Sequence, residues 1–455
     1  MKKRLIDILF ILLFLVLCLI PSLGILIFGE SEAAANEILT TRPSAQNRDG
    51  SLNWELLSDF SDYIADRFAF RQEMVTAWSS VNAELFSTSV EEQVILGRDG
   101  WLYYRETLDD YLGKGMSDEE LEYAARNLAL MQEYAENQGA AFVFTIAPNK
   151  NSLYPEHMPT YYSSGHNGSN AKRLPALLEQ NGVNYVDLFE AFRNEEVLYF
   201  STDSHWNAQG AALAADQILS GLGMESNYFS GSFTNPVNHR GDLYEMLYPA
   251  GTMTEPDLQL SSGFSYTCEN DPNGGNAITI NTTAEGREGT LLCWRDSFGI
   301  SLYPYLAEKF GSATFSRASS YDLSQIETLG ADTVIIELVE RNLEHLITSA
   351  PVFAAPERQL SIGAKGEGSF TVSVTAPKDE GGLTHITGEI PLSAMDAGSG
   401  IYLAVGEQIF EACVLRGSDH DYLSFSAWIA AGNEEPLSLV VCSNNVFTLY
   451  DTEMN

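Results

Sequence analysis

The chain is 455 residues long and carries 62 acidic against 25 basic side chains, a formal charge of −37. A polyanion of this size repels phosphate backbones, which proteins hold by neutralising them with Lys and Arg, so nucleic-acid binding is not expected. Disorder does not follow from the charge, because 45% of the residues are hydrophobic and 11% aromatic, enough to build cores in two or three domains of roughly 100–200 residues each.

The N-terminus, Met1-Lys2-Lys3-Arg4, is followed after Asp7 by an uncharged apolar run from Ile8 to Phe28. A bilayer-spanning helix needs roughly 20 such residues, whereas the apolar region of a secretory signal has roughly 7–15, so the run is expected to be a transmembrane helix. Basic residues before it and Glu30 and Glu32 after it place the N-terminus in the cytoplasm and the rest of the chain, from about Glu37, outside a cell membrane crossed once. A cleaved signal with small residues at Ala33 to Ala35 is the alternative. Residues 31–90 read as a stalk with a helical stretch carrying Phe60, Tyr63, Ile64, Phe68 and Phe70.

Val94 to Tyr104 reads as two short strands around Gly97-Arg98-Asp99-Gly100, since Asp-Gly between apolar runs is a hairpin signal. Then come a helix over Asp118 to Gln138, a buried strand over Ala140 to Pro148, a helix over Lys172 to Gln180, a strand over Asn184 to Leu188, and an Ala-rich helix from Asn207 to about Leu222. The polar, glycine-containing segment Asn270 to Gly289 reads as a loop. Beyond it are a strand at Thr290 to Trp294, helices at Ser301 to Phe310 and Leu323 to Leu329, and a strand at Thr333 to Leu338. This alternation predicts an α/β fold, a parallel sheet with flanking helices on both faces. After Ser349 the pattern changes to alternating strands and Gly-rich turns, a C-terminal all-β domain whose Tyr402, Phe410, Tyr422, Phe425, Trp428, Phe447 and Tyr450 either stack on sugars or fill its core. The expected divisions are therefore 1–30, 31–90, 91–350 and 351–455. Five cysteines are too few for a disulfide scaffold; Cys18 lies in the apolar run, and Cys268, Cys293, Cys413 and Cys442 either pair or stay free.

Two stretches carry chemistry. In Thr202-Asp203-Ser204-His205-Trp206-Asn207, side chains two apart in extended backbone point the same way, so Asp203 and His205 converge just before a helix that Asn207 caps. In Leu291 to Gly299, Ser297 falls at a strand-to-helix turn, where its hydroxyl is presented at the end of a parallel strand and backbone N–H groups can face an oxyanion. Taken alone, each stretch reads equally well as a helix cap. Metal binding by Asp203 and His205 is disfavoured, since no HExxH or zinc-spaced Cys/His cluster accompanies them.

Asp203-Ser204-His205-Trp206, with Asp296-Ser297-Phe298 about ninety residues on, resembles the AlgX/AlgJ and DHHW group of SGNH-hydrolase-like proteins, which are polysaccharide O-acetyltransferases. Val94 to Tyr104 with its Gly-Trp-Leu-Tyr, Pro148-Asn149-Lys150, Tyr154-Pro155 and Met158-Pro159 are similar to further motifs of that group, and the likeness runs from about Asn47 to Ile347. It implies an SGNH-hydrolase-like α/β fold, Ser297 as nucleophile, His205 as general base and Asp203 as its orienter, in an order permuted from ordinary SGNH hydrolases as the group shares. Arg317, Arg295 and Trp206 are the substrate-binding residues it implies, although Arg295 stands where many SGNH proteins have the Gly of Gly-Asp-Ser. The partners implied are a polysaccharide acceptor and a membrane-bound O-acyltransferase that supplies acetyl groups; no cofactor and no metal is implied. The competing expectations are an exported carbohydrate esterase or deacetylase using the same residues and a catalytically silent polysaccharide-binding scaffold.

Overall fold

The structure is a computed structural model that describes residues 2–33, 39–47, 49–165, 168–193, 195–270, 274–375, 382–395, 398–419, 421–429, 436–443 and 446–454. Glu37, the expected start of the outside portion, and Ala34 and Ala35 of the alternative cleavage region lie outside the described residues. The basic N-terminus and apolar run form one helix, α1 (Lys2–Phe28). Its C-terminal end rests on the corner between α2 (Leu56–Arg67) and α3 (Arg71–Phe86), where Phe28 meets Phe70 edge-on at 5.0 Å. The expected helix is present, but among the described residues no helix is long and apolar enough to cross a membrane, so the expected single-pass span is not borne out there. The helical stretch expected over Phe60 to Phe70 is broken at Phe68, which is extended, and Phe70, which takes the left-handed conformation with φ 64°.

The hairpin is present as β1 (Val94–Leu96) and β2 (Leu102–Tyr104), antiparallel with Leu96 opposite Leu102. Asp99 and Gly100 have φ of 58° and 82°, the left-handed values that Asp-Gly turns are selected to adopt. The central sheet uses β3 (Ala141–Ala147), β4 (Tyr185–Val186), β7 (Thr267–Cys268), β8 (Thr279–Thr283), β9 (Thr290–Trp294), β10 (Ser312–Ser316) and β11 (Thr333–Val339), while β5 (Phe233–His239) and β6 (Glu255–Leu260) form a separate hairpin. The order is β4-β3-β11-β9-β10-β8-β7, and the first five strands are parallel. β8 and β7 are antiparallel additions, so the sheet is mixed at that edge.

Alternation along the strands sorts side chains into two layers. Phe142, Phe144, Ile146, Leu292, Trp294, Val334 and Ile336 pack with Leu121, Leu128, Leu174 and Leu178 of the helices Asp118–Asn137 and Asn170–Gln180. Val143, Ala147, Leu291, Cys293, Ile335 and Val339 face Ile218 and Leu306 of the helices Ala208–Gly221 and Gly299–Ala307. Helices on both faces are thus as expected, with the Asn170–Gln180 helix enclosing Pro175. The segment expected as a loop contains β8: only Ile280 and Thr282 of its five residues are buried, because it lies near the sheet edge and its other side chains need not be apolar.

The C-terminal all-β part is an eight-stranded, barrel-like sheet of β12 (Ala364–Thr375), β13 (Thr384–Pro391), β14 (Gly400–Val405), β15 (Gln408–Glu411), β16 (Cys413–Arg416), β17 (Tyr422–Ile429), β18 (Leu437–Ser443) and β19 (Val446–Met454), ordered β15-β14-β18-β19-β12-β13-β17-β16. Its core is continuous with that of the Asp118–Asn137 helix. Arg126 reaches Glu411 Oε1 and the Tyr402 hydroxyl, Asn127 Nδ2 donates to the Val414 and Leu346 carbonyls at 2.8 and 3.0 Å, and Arg358 links Glu411 to Glu133. Tyr402, Phe410 and Phe425 are buried in the core, Trp428, Phe447 and Tyr450 are half-buried with Trp428 stacked on His385 at 4.0 Å, and Tyr422 is exposed, so the aromatic set divides between core and surface. Cys268, Cys293, Cys413 and Cys442 are free thiols.

Candidate active site

Ser297 follows the carboxyl end of β9 and precedes the helix Gly299–Ala307. Its neighbour Asp296 holds this corner. One carboxylate oxygen accepts the Phe298 N–H at 2.9 Å, and the other accepts the Val339 N–H at 2.6 Å and Asn342 Nδ2 at 3.1 Å. Since β11 is next to β9, these bonds join the ends of two adjacent parallel strands, the place where open α/β sheets hold ligands.

Asp203 and His205 lie on the loop between Tyr199 and Trp206, just before the helix that Asn207 caps by accepting the Gly210 N–H at 2.9 Å. Two charged groups clamp that loop. Buried Lys150 donates to the carbonyls of Phe200, Ser201 and Asp203 at 3.1, 3.0 and 2.5 Å. Glu255 on β6 accepts the N–H groups of Ser201 and Thr202, both at 2.9 Å, and both their hydroxyls. Gly241 presses on the same loop, where a Cβ would stand 2.3 Å from the Thr202 carbonyl oxygen.

Ser297 Oγ is 2.9 Å from His205 Nε2, and His205 Nδ1 is 2.7 Å from Asp203 Oδ1. The second Asp203 oxygen accepts from His239 Nε2 at 2.8 Å and from the Asp242 N–H at 2.9 Å. Asp242 accepts the Ser204 N–H at 2.8 Å and hydroxyl at 2.6 Å, and its carboxylate lies 3.5 Å from His205 Nδ1. Asp203, His205 and Asp242 place ligand atoms within 4.8 Å of one another, the spacing a metal ion would require, but each group is already engaged in the hydrogen bonds just described.

Burial opposes the charge on Asp203, yet the charge of His205 and its hydrogen bonds with His205 and His239 outweigh burial and hold the carboxyl well below the usual range. Burial likewise opposes protonation of His205 and His239, but Asp203 overrides it and both are raised. Burial and the Asp203 charge raise Asp242. Lys150 is brought down to about 8 by burial. Buried Glu337, which accepts the Asp296 N–H at 3.3 Å, is pushed well above its ordinary value by burial and by Asp296.

The expected substrate-binding residues separate. Trp206 is 1% exposed and its indole N–H is committed to Ser301 Oγ at 2.7 Å and the Phe298 carbonyl, so it supports the corner from within. Arg295 is 4% exposed and donates to the carbonyls of Gly275, Ala277 and Asp296. Both side chains thus lie inside the protein on backbone and hydroxyl partners, away from the surface position expected of a sugar contact. Arg317 is exposed just past the end of β10, the strand beside β9. His239, Asp242 and Glu255 escape the sequence reading, because no spacing relates them to Asp203. The polar string His239-Arg240-Gly241-Asp242 is the signal present. Arg341, after β11, lies over the Phe298 and Tyr104 rings at 5.5 and 5.4 Å and was also unmarked by sequence.

Residues 94–273 match the family described as SGNH hydrolase-like domain, acetyltransferase AlgX. The "Probable alginate O-acetylase AlgJ" of Pseudomonas syringae pv. tomato is 26% identical over 256 residues, 52% of this chain and 63% of that protein, so the chain spans less than two thirds of that relative. Among solved structures, Bacillus cereus PatB1 with a sulfonyl adduct is 18% identical, covering 55% of this chain and 95% of that one with a TM-score of 0.43. The O-acetyltransferase domain of Pseudomonas putida AlgJ is 17% identical, covering 55% and 91%, with a TM-score of 0.39.

Proposed function

We propose, from the match of residues 94–273 to the SGNH hydrolase-like domain of acetyltransferase AlgX, that this chain is an extracytoplasmic polysaccharide O-acetyltransferase working through an acetyl-Ser297 intermediate. The observation that carries the reading is the hydrogen-bonded line from Ser297 Oγ through His205 to Asp203, at 2.9 and 2.7 Å. A carboxylate on Nδ1 leaves Nε2 to accept the hydroxyl proton. His205 takes that proton as Oγ attacks the acetyl carbonyl, and the imidazolium returns it to the departing group, leaving acetyl on Oγ. A sugar hydroxyl then gives its proton to His205 and attacks the acetyl carbonyl; the acyl–Oγ bond breaks, the imidazolium returns the proton to Ser297 Oγ, and the O-acetyl sugar departs.

The reading extends to a membrane-bound O-acyltransferase as acetyl source and to attachment at a cell membrane through residues 1–30, with 31–90 as stalk, 91–350 as the catalytic part and 351–455 as the β part. The run Ile8 to Phe28 behind Lys2, Lys3 and Arg4 supports the attachment, as does the solvent exposure of Ile8, Phe10 and Phe14 on α1. In this reading Arg317, exposed just past the end of β10, binds the acceptor.

The test is acetate release from a soluble acetyl ester by the wild type and by Ser297→Ala. Loss of at least about 10³-fold is expected, and an unchanged rate overturns the reading. With an oligosaccharide present, acetylated sugar is expected by mass; free acetate alone makes the protein an esterase.

A further inference from the structure

Apart from α1, the longest run of exposed large apolar side chains among the described residues lies on α3. Phe70, Met74, Trp78, Val81 and Leu85 are all exposed, Trp78 at 61% and Leu85 at 71%. Their spacing of four, four, three and four places them on one face of a helix. The opposite face is the one that packs: Ser79 is buried, and Thr76 Oγ1 accepts the Ala250 N–H at 2.9 Å. On α2 and just before it, Leu57 and Trp54 are exposed as well.

The stripe begins at the residue that the apolar N-terminal helix touches. Phe28 meets Phe70 at 5.0 Å, and a Cβ on Gly24 would stand 2.7 Å from the Ala69 Cβ. The Ser31 N–H donates to the Arg67 carbonyl at 3.0 Å, and the Tyr63 hydroxyl donates to Glu30 at 2.6 Å. The end of α1 is therefore fixed to the α2–α3 corner, and whatever covers the apolar side chains of α1 adjoins the stripe of α3. The charged residues of α3 are Arg71, Glu73 and Glu84, too few and too mixed for an electrostatic partner.

We infer that the Phe70–Leu85 face of α3 is a lipid-binding surface that lies along the bilayer interface beside α1, with its apolar side chains among the headgroups and upper acyl chains. The inference rests on membrane attachment through α1. A helix inserted by apolar burial with little charge binds neutral lipid and resists salt. Trp78 sits mid-stripe, where an indole favours the interface. It also holds the catalytic body at the membrane surface.

The full-length chain in phosphatidylcholine vesicles, with and without brominated acyl chains, tests this. Trp101, Trp206 and Trp294 are buried, so quenching by brominated lipid reports chiefly on exposed indoles. We expect the chain to float with the vesicles in about 1 M salt, its emission to be quenched, and Trp78→Phe to remove about half of that quenching. A chain that floats but is not quenched, or is quenched equally after Trp78→Phe, overturns the lipid surface while leaving the α1 attachment standing; a dimer in detergent with unquenched emission would assign the stripe to a second copy and also overturns it. A chain that does not float removes the attachment and the inference together.

Discussion

Asp203 joins two histidines, with His205 on one oxygen and His239 on the other. Because Asp203 raises His205 above its ordinary 6.5, the neutral base needed to take the Ser297 proton forms only above that value. The acid limb of kcat/KM is expected to have its midpoint above pH 6.5, and Asp203→Asn is expected to lower kcat by about 10⁴-fold and move what remains of the limb downward. A limb at or below the ordinary histidine value would contradict this. Stability runs the other way. The lowered Asp203 contributes above its unfolded value of 3.8 and loses that contribution as pH falls through its folded value; the raised histidines contribute below 6.5 and lose it as pH rises through theirs. The cluster thus stabilises most between 3.8 and 6.5, with the raised Asp242 opposing it, so thermal stability is expected to peak at lower pH than activity. Lys150 is buried against three loop carbonyls. Lys150→Met is expected to cost about 3 kcal/mol, read as a lower urea midpoint with unchanged slope.

At the scale of elements, the best-read pieces carry their own instructions. The helix Asp118–Asn137 opens with Ser117 and Glu120 in a capping box, and Ala208–Gly221 opens on Asn207. Asn207→Ala is expected to cost about 1 kcal/mol and, since the cap is two residues from His205, to reduce acetyl-ester hydrolysis as well; both are read by thermal melts and steady-state rates. The β5–β6 hairpin is the contrary case. Phe233–His239 is exposed along most of its length, contains Pro236 and has Asn235 at φ 52°, so no alternation marks it as a strand. Yet it delivers His239 and Glu255 to the loop that carries Asp203 and His205. His239 and Glu255 went unread together with the hairpin that carries them, whereas Asp242 lies on its own short helix and Arg341 went unread just past the predicted β11.

At the scale of the whole molecule, the β part is bound into the α/β core rather than hung from it. Arg126, Asn127 and Glu133 of the Asp118–Asn137 helix pair with Tyr402, Glu411, Val414 and Arg358, and their removal leaves buried polar groups unpaired beside uncovered apolar surface. A chain ending at Ser349 is therefore expected to aggregate or to melt well below the full protein by light scattering and calorimetry; a soluble truncation with the same Tm would show the two parts to be independent. The charge of −37 belongs to this scale too. It bears on solubility and on the class of partner, and it leaves the chemistry of Ser297 to local groups.

By itself the sequence determined what local physics enforces: alternating buried strands and capped helices, an Asp-Gly hairpin, a change to β structure after Ser349, and Asp203 and His205 on one side of an extended loop. Ser297's place between a strand and a helix was legible for the same reason, but its reading as a nucleophile came from the resemblance to the AlgX/AlgJ and DHHW group rather than from local pattern. Only the tertiary structure decided the rest. Trp206 and Arg295 turn inward because buried polar groups must find partners, while His239, Asp242 and Glu255 reach the loop across 36, 39 and 54 residues. Contacts at such separation depend on how strands are ordered in space, and no periodicity along the chain encodes that order.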